Sequence, residues 1–170
     1  MAKAGKILAL IGAVFTILGT YLFSLSEFIP GSSYIYGTAG WLNIGAIFQY
    51  ATSGAPDAWQ AWIVGITIIL FLISGLIMLL GIKSRIAAFF GSLVPLALSV
   101  ILILGAFGVS VLGIYGIYIL FLAAAPLVPG VFPLTFEYPA LAPAGLGWGT
   151  LLVALGSLLV LISVFMTRED

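Results

Sequence analysis

Cysteine and histidine are both absent from this chain of 170 residues. Their absence excludes disulfide bonds, thiol chemistry and metal or haem sites built from thiolate or imidazole ligands. Charge is also scarce, because only 6% of the residues are Asp, Glu, Lys or Arg. An average soluble domain carries about a quarter charged residues, so a water-soluble fold is excluded as well.

Long apolar runs take the place of charge. The chain is 64% hydrophobic, and a helix of about 20 apolar residues crosses a hydrocarbon core about 30 Å thick. We predict a single membrane domain over residues 1–170, all-α, with four transmembrane helices packed as a left-handed bundle and an apolar, aromatic and Pro-rich extracytoplasmic cap. The predicted spans are residues 7–25, 61–82, 86–108 and 145–166, and the outer segments are 26–60 and 109–144.

The few charges predict an orientation. If the chain crosses the membrane four times, all five cationic residues lie on the same side of it. These residues are Lys3, Lys6, Lys83, Arg85 and Arg168. Because cationic residues are enriched in cytoplasmic segments, we expect both termini in the cytoplasm of a cell whose plasma membrane holds the protein. Three acids then lie on the outer face: Glu27, Asp57 and Glu137. They could form a weak cation site, but solvated exposure is the favoured interpretation.

The third apolar run is too long for one crossing. Residues 86–125 would form a helix about 60 Å long, twice the hydrocarbon thickness. Its later part, 109–125, could be an extended helix, an interfacial helix or a fifth span, and a fifth span would place Arg168 outside. Five prolines follow, and they favour irregular backbone.

The outer segments are rich in Tyr and Trp. Trp59, Trp62 and Trp148 stand at predicted span starts, where an interfacial aromatic belt explains them. Other outer aromatics lie far from any span, and exposed aromatic surface often marks a protein contact. We therefore predict an outer contact surface at Tyr34, Tyr36, Trp41, Tyr50, Tyr115 and Tyr118.

Small residues recur at helical spacing in the first and last spans. The predicted helix-packing residues are Gly5, Ala9, Gly12, Thr16 and Gly19 in the first span and Gly149, Gly156 and Ser163 in the fourth. Small side chains let membrane helices approach closely. We interpret these stripes as seams within the chain's own bundle, although the Gly145 and Gly149 pair could also serve contacts between chains.

Residues that carry chemistry are missing from the predicted spans. None contains an ionisable residue, and their hydroxyl groups can bond to preceding carbonyls of the same helix. We predict no catalytic, cofactor-binding or metal-binding residue, no cofactor and no enzymatic activity. Net charge is zero and cations never cluster beyond two, so we expect no nucleic-acid partner.

Two classes of function remain. The favoured one is a structural or assembly subunit that forms a homo-oligomer or joins a larger membrane complex, with membrane lipid as its other partner. The alternative is an oligomeric pore or channel subunit for ions or small solutes. The four-span layout with a larger first outer loop containing Gly40-Trp41-Leu42 resembles claudin-type proteins in topology. Paired cysteines are lacking, so the resemblance assigns no functional residue.

Overall fold

The computed structural model describes residues 4–29, 33–56, 58–107, 109, 135–136 and 146–166. Helices hold most of these residues: α1 (Ala4–Tyr21), α2 (Thr38–Ala51), α3 (Ala58–Leu80), α4 (Arg85–Ala106) and α5 (Trp148–Phe165). Four short strands accompany them: β1 (Ser26–Ile29), β2 (Ser33–Ile35), β3 (Thr135–Phe136) and β4 (Leu146–Gly147).

Four of these helices, α1, α3, α4 and α5, are long and apolar enough to cross a membrane. The chain is therefore an integral membrane protein with a helical fold, and within the described residues each of the four predicted spans coincides with one of these helices. Their ends differ from the predicted ones by a few residues. The largest difference is at the end of α1, which stops at Tyr21 rather than at residue 25.

Spanning helices pack as antiparallel neighbours. Contacts are most extensive between α1 and α5, and α4 packs against both α3 and α5. The apolar interior has two clusters, of which the smaller contains Ala13, Met78, Ala88 and Val160. The larger cluster joins α2, α3, α4 and α5 with the segment after α1, and Tyr21 of α1 packs against it. Its members include Leu25, Ile47, Phe71, Leu102 and Val153.

A tight turn joins α3 to α4, in agreement with the short gap between the predicted spans 61–82 and 86–108. The Ser84 hydroxyl caps α4 by accepting a hydrogen bond of 3.3 Å from the Ala87 N–H. Gly81 allows close approach here, because an added Cβ atom would lie 2.7 Å from the Ala88 Cα. Lys83 and Arg85 are exposed beside it. We call this end of the bundle the turn end.

A small sheet lies at the opposite end, which we call the sheet end. The strand order is β2-β1-β4-β3 with antiparallel neighbours, so the sheet joins both segments that were predicted to be outer. Neither this sheet nor α2 was expected from the sequence, and the all-α prediction holds apart from the four short strands. The question raised about residues 109–125 lies outside the described residues, apart from Val109.

The helices are staggered at the sheet end. The last residue of α1, Tyr21, donates a hydrogen bond of 2.6 Å from its hydroxyl to the Leu72 carbonyl. Leu72 is 14 residues from the start of α3 at Ala58, and at 1.5 Å per residue α3 extends about 21 Å further. Helix α2 packs along this extension, with Gly40 against Ile68. Helix α2 thus occupies the space beside α3 that lies beyond the end of α1.

Candidate functional site

Helices α1 and α5 meet along the small-residue stripes. All eight residues named from the sequence are buried, namely Gly5, Ala9, Gly12, Thr16, Gly19, Gly149, Gly156 and Ser163. The outward side of α1 carries large apolar residues instead, such as Ile7 and Val14. Small and large residues therefore occupy different faces of α1, and the small face contacts α5.

Two reciprocal glycine pairs set the distance between these helices. A Cβ atom added at Gly19 would lie 2.6 Å from the Gly149 carbonyl oxygen, and one added at Gly149 would lie 2.6 Å from the Gly19 oxygen. Gly12 and Gly156 face each other's carbonyl oxygens in the same way. Gly12 lies seven residues before Gly19 in α1, and Gly156 lies seven residues after Gly149 in α5. Backbone therefore packs on backbone, and no side chain can be added without moving a helix.

Hydroxyl groups in the spanning helices mostly bond within their own helix, which confirms the expectation from the sequence. Seven of them donate to a carbonyl three or four residues earlier, at 2.5 to 3.0 Å: Thr16, Thr67, Ser74, Ser92, Ser99, Ser157 and Ser163. Such bonds satisfy the hydroxyl without a partner helix. These seven groups therefore do not bind the chain's other helices through the bonds described.

Thr150, like Tyr21, bonds outside its own helix. Its hydroxyl donates a hydrogen bond of 2.6 Å to the Leu25 carbonyl, which lies between α1 and β1. The Gly147 N–H donates to the same carbonyl at 2.9 Å. Two further hydroxyls close to Leu25 in sequence, those of Thr20 and Ser26, are buried and have no hydrogen-bond partner among the described residues. Thr150 thus fixes the segment after α1 to the start of α5.

Helix α2 is held on α3 by side chains that fill glycine positions. A Cβ atom added at Gly65 of α3 would lie 3.1 Å from the Phe48 Cζ atom. The Phe48 ring also packs edge to face with Trp62, with 5.2 Å between the ring centroids. Buried Asn43, Ile47 and Ala51 lie on the same side of α2. One face of α2 is therefore buried within the chain.

The opposite face of α2 is exposed and almost wholly apolar. Trp41, Leu42 and Tyr50 are 46%, 55% and 40% exposed. Gly45 and Ala46 form a shallow notch between them, and a Cβ atom added at Gly45 would meet nothing within 4 Å. We call residues 41, 42, 45, 46, 49 and 50 the α2 face.

Gly45 has no packing role within the described chain. Glycine destabilises a helix interior by about 0.5–1 kcal/mol relative to alanine, and the other glycines inside helices α1 to α5 with described surroundings each have a close neighbour. Sequence reasoning missed Gly45. The signal that could have found it is the spacing of Leu42, Gly45, Ala46 and Gln49, which places all four on one side of a helix.

The other four residues of the predicted contact surface are either buried or outside the described residues. Tyr36 is only 3% exposed, so it packs inside the chain and the prediction for it is wrong. The Tyr34 side chain, Tyr115 and Tyr118 lie outside the described residues. The structure thus leaves Trp41 and Tyr50 as the described, exposed members of that surface.

Acidic residues are not grouped in the described part of the chain, which contains no cluster of three metal-binding side chains. The Glu27 side chain, Asp57 and Glu137 lie outside the described residues, and so does the weak cation site considered for them. The described arrangement offers apolar and aromatic contact surface, the form of site suited to binding another apolar surface.

Comparisons with protein-family models, curated proteins and solved structures found no match to this chain. The class of protein therefore rests on the helices themselves: an integral membrane protein with four candidate spanning helices.

Proposed function

We propose that this protein is a non-enzymatic structural or assembly subunit of the plasma membrane that associates with further copies of itself through the α2 face. In this proposal the spanning helices form a left-handed bundle and the sheet end belongs to an apolar, aromatic, Pro-rich cap outside the cell. Both termini are cytoplasmic. Membrane lipid is the other partner, and nucleic acid is not a partner.

Gly45 is the observation that carries this proposal. The buried side of α2 packs against α3 with close contacts at Gly40 and Gly65. Gly45, between Trp41 and Tyr50 on the exposed side, has no described neighbour within 4 Å of an added Cβ. Small residues flanked by aromatics let a helix of another subunit approach closely, and the aromatics add energetically decisive contacts. A second copy seated on the α2 face supplies the missing neighbour of Gly45.

The hydroxyl bonds favour assembly over the alternative of a pore. A wet conduit needs a stripe of polar groups free to contact water or solute. In the described spanning helices seven hydroxyls are bonded to their own backbone. Apolar side chains such as Leu76, Phe90 and Leu155 form the exposed sides.

Substitution of Gly45 tests the assembly proposal. Gly45→Leu places bulk in the notch, where an added Cβ has no described neighbour within 4 Å, so the subunit should stay folded while the oligomer separates. Ala97→Leu is the matched control, because Ala97 is exposed on α4 away from the α2 face. The mass of the particle in native lipid should fall for Gly45→Leu alone.

Trp41→Ser combined with Tyr50→Ser gives a second test. The double variant should also shift the particle to a smaller mass while its helical content, measured by circular dichroism, is unchanged. A wild-type protein that is monomeric in native lipid contradicts the proposal. An oligomer of unchanged mass for Gly45→Leu contradicts the assignment of the subunit contact to the α2 face.

Cysteine labelling tests the proposed orientation. Ser84 is exposed at the turn end and Ser53 is exposed between α2 and α3. An impermeant thiol reagent added to intact cells should label Ser53→Cys and leave Ser84→Cys unlabelled until the membrane is opened. Equal labelling of both variants in intact cells overturns the orientation.

A further inference from the structure

Helices α1 and α5 extend less far toward the sheet end than α3 and α4. The smaller interior cluster contains one residue of each of these four helices, so it marks a common level on them. At 1.5 Å per residue, α1 ends at Tyr21 about 12 Å from this level and α5 begins at Trp148 about 18 Å from it. Helix α3 begins at Ala58 about 30 Å from the same level, and α4 ends at Ala106 about 27 Å from it. The hydrogen bond between Tyr21 and Leu72 agrees with this alignment, because Leu72 lies about 9 Å from the level.

The exposed sides of α3 and α4 match the thickness of membrane hydrocarbon. All exposed residues of α3 from Trp59 to Leu80 are apolar, and so are those described from Ile86 to Phe107 along α4. Each stretch is about 32 Å long, close to the thickness of about 30 Å of a hydrocarbon core. Exposed Lys83 and Arg85 bound it at the turn end, because charge is costly inside hydrocarbon. At the sheet end, a membrane that covers both helices extends past α5 and α1 by about 9 and 15 Å.

Helix α2 lies beside the part of α3 that α1 does not reach. Near its start, Gly40 contacts Ile68 and Leu72 of α3. Near its end, Phe48 packs against Trp62. Helix α2 therefore runs in the same direction as α1, away from the turn end. Its 14 residues span about 21 Å, which carries the chain from the level where α1 ends to the level where α3 begins.

The backbone between α1 and α2 meets the conditions that hydrocarbon imposes. Non-helical backbone is tolerated at membrane depth only where it is buried in protein and its polar groups are satisfied. In the described part of this segment Ser24, Leu25 and Ser26 are buried. The Leu25 carbonyl accepts two hydrogen bonds from the residues that begin β4 and α5, and the Ser24 carbonyl accepts a third, of 2.8 Å. The start of α5 thus binds the backbone that follows α1.

We propose that α1 and α2 together make the first membrane crossing, and that the α2 face lies within the hydrocarbon core. Helix α1 crosses the part next to the turn end, the chain shifts sideways through residues 22–37, and α2 completes the crossing. The depth of α2 does not depend on assembly. One consequence rests on the proposed function: a second copy contacts the α2 face inside the membrane. The base of the outer cap is then embedded, and its surface begins near Ser53.

The four tryptophans stand at different depths and are all partly exposed to their surroundings. Trp59, Trp62 and Trp148 lie about 29, 24 and 18 Å from the level of the smaller cluster. Trp41 lies about 13 Å from it, judged from the α3 contacts of its neighbour Gly40. A membrane that covers α3 therefore places Trp59 at its surface and Trp41 near its middle. A membrane that ends with α1 and α5 places Trp41 and Trp148 at its surface and leaves the other two in water.

Fluorescence quenching of the full chain distinguishes these two placements. Each tryptophan is kept alone by replacing the other three with Phe, and the Trp41 variant also carries Gly45→Leu so that a second copy does not shield it. The variants are reconstituted in phosphatidylcholine vesicles brominated near the carbonyl end or near the methyl end of the acyl chain, with iodide on both sides as the aqueous quencher. Methyl-end bromine should quench Trp41 several-fold more than carbonyl-end bromine does. Carbonyl-end bromine should quench Trp62 more than iodide does.

Stronger quenching of Trp62 by iodide than by either lipid overturns the proposal, and so does a carbonyl-end preference at Trp41. If neither bromine quenches Trp41, Trp62 decides. The oligomer mass is measured on the protein without Gly45→Leu in the same lipid. A deep Trp41 in a monomeric protein contradicts assembly and supports the crossing, whereas a shallow Trp41 with a stable wild-type oligomer contradicts the crossing alone.

A charged substitution gives a second measurement if a single-tryptophan variant fails to fold. Leu42→Lys places a charge near the middle of the proposed hydrocarbon core, and Trp59→Lys is the matched control at its surface. The two residues are 55% and 60% exposed. In nanodiscs that hold one subunit, Leu42→Lys should lower the apparent melting temperature clearly more than Trp59→Lys. Equal losses overturn the proposal.

Discussion

The α1–α5 pair and the α2–α3 pair both depend on glycine, but they use it differently. In α1–α5 the glycines face each other, and an added Cβ would meet backbone oxygens. In α2–α3 the glycines receive side chains instead, with Phe48 and Ile47 at Gly65 and with Ile68 and Leu72 at Gly40. The first arrangement fixes the distance between two backbones, and the second provides sockets for particular side chains.

This difference teaches where the bundle tolerates change. A backbone oxygen moves only if its whole helix moves, whereas the far end of a Phe or Ile side chain moves by rotation about its own bonds. Substitutions in the α1–α5 seam should therefore cost far more than substitutions in the α2–α3 sockets. Four predictions test this contrast, each through the free energy of unfolding or the apparent melting temperature in mild detergent.

Gly12→Leu should have the largest effect. It drives a branched side chain against the Gly156 carbonyl and the Val160 side chain, and the free energy of unfolding should fall by about 3 kcal/mol or more. Leu10→Phe is the control, because Leu10 is 45% exposed on the other side of α1. Equal decreases in the free energy of unfolding for the two variants would show that the α1–α5 seam is no more sensitive to added bulk than the exposed side of α1.

Thr150→Val should have the next effect. It removes the hydroxyl that bonds to Leu25, and the loss should be about 1 kcal/mol, because the Leu25 carbonyl keeps its bond from Gly147. Thr67→Val removes a bond to the preceding Ile63 carbonyl of its own helix and should cost less. If Thr67→Val costs as much as Thr150→Val, the bond to Leu25 contributes nothing beyond local satisfaction.

Gly65→Ala should cost less than about 1 kcal/mol, since the ends of the Phe48 and Ile47 side chains, 3.1 and 3.2 Å from an added Cβ, can give way. Gly149→Ala is the matched change in the seam, where an added Cβ meets the Gly19 and Ser24 oxygens at 2.6 Å. It should cost clearly more. The reverse order of the two variants would refute the distinction between sockets and seam.

Gly45→Ala should have the smallest effect, and its sign should be opposite. Among the described residues the added methyl group has no neighbour within 4 Å, so the dissociated subunit should gain about 0.5 kcal/mol from better helix formation. The measurement is made at a protein concentration where the subunit is monomeric. A loss of stability there would mean that this glycine has a role inside the chain.

The spanning helices were predictable because each is long, continuously apolar and bounded by charges or aromatics. The α1 stripe was equally visible, since residues 5, 9, 12, 16 and 19 are small at alternating spacings of four and three. What the stripe contacts was not visible. The reciprocal pairing of Gly12 with Gly156 depends on the three-dimensional packing of the first helix against the last.

Helix α2 and the sheet were missed for physical reasons. The strands have two to four residues, too few to show an alternating pattern. In α2 both faces are apolar, so the contrast that reveals an amphipathic helix is weak. The buried residues do recur at 40, 43, 47 and 51, a helical spacing that the many aromatics in this segment obscured. Tyr36 was misjudged for the same reason, because an aromatic residue suits a buried position as well as a contact surface.

The partnership of α1 with α5 also governs how the chain can be made. Gly19 and its partner Gly149 are 130 residues apart in a chain of 170, so the first helix enters the membrane long before its partner is synthesised. At roughly 5–20 residues per second that interval is on the order of ten seconds. Throughout it the seam of α1 faces lipid or the insertion machinery, and α1 can pair with α5 only after that interval.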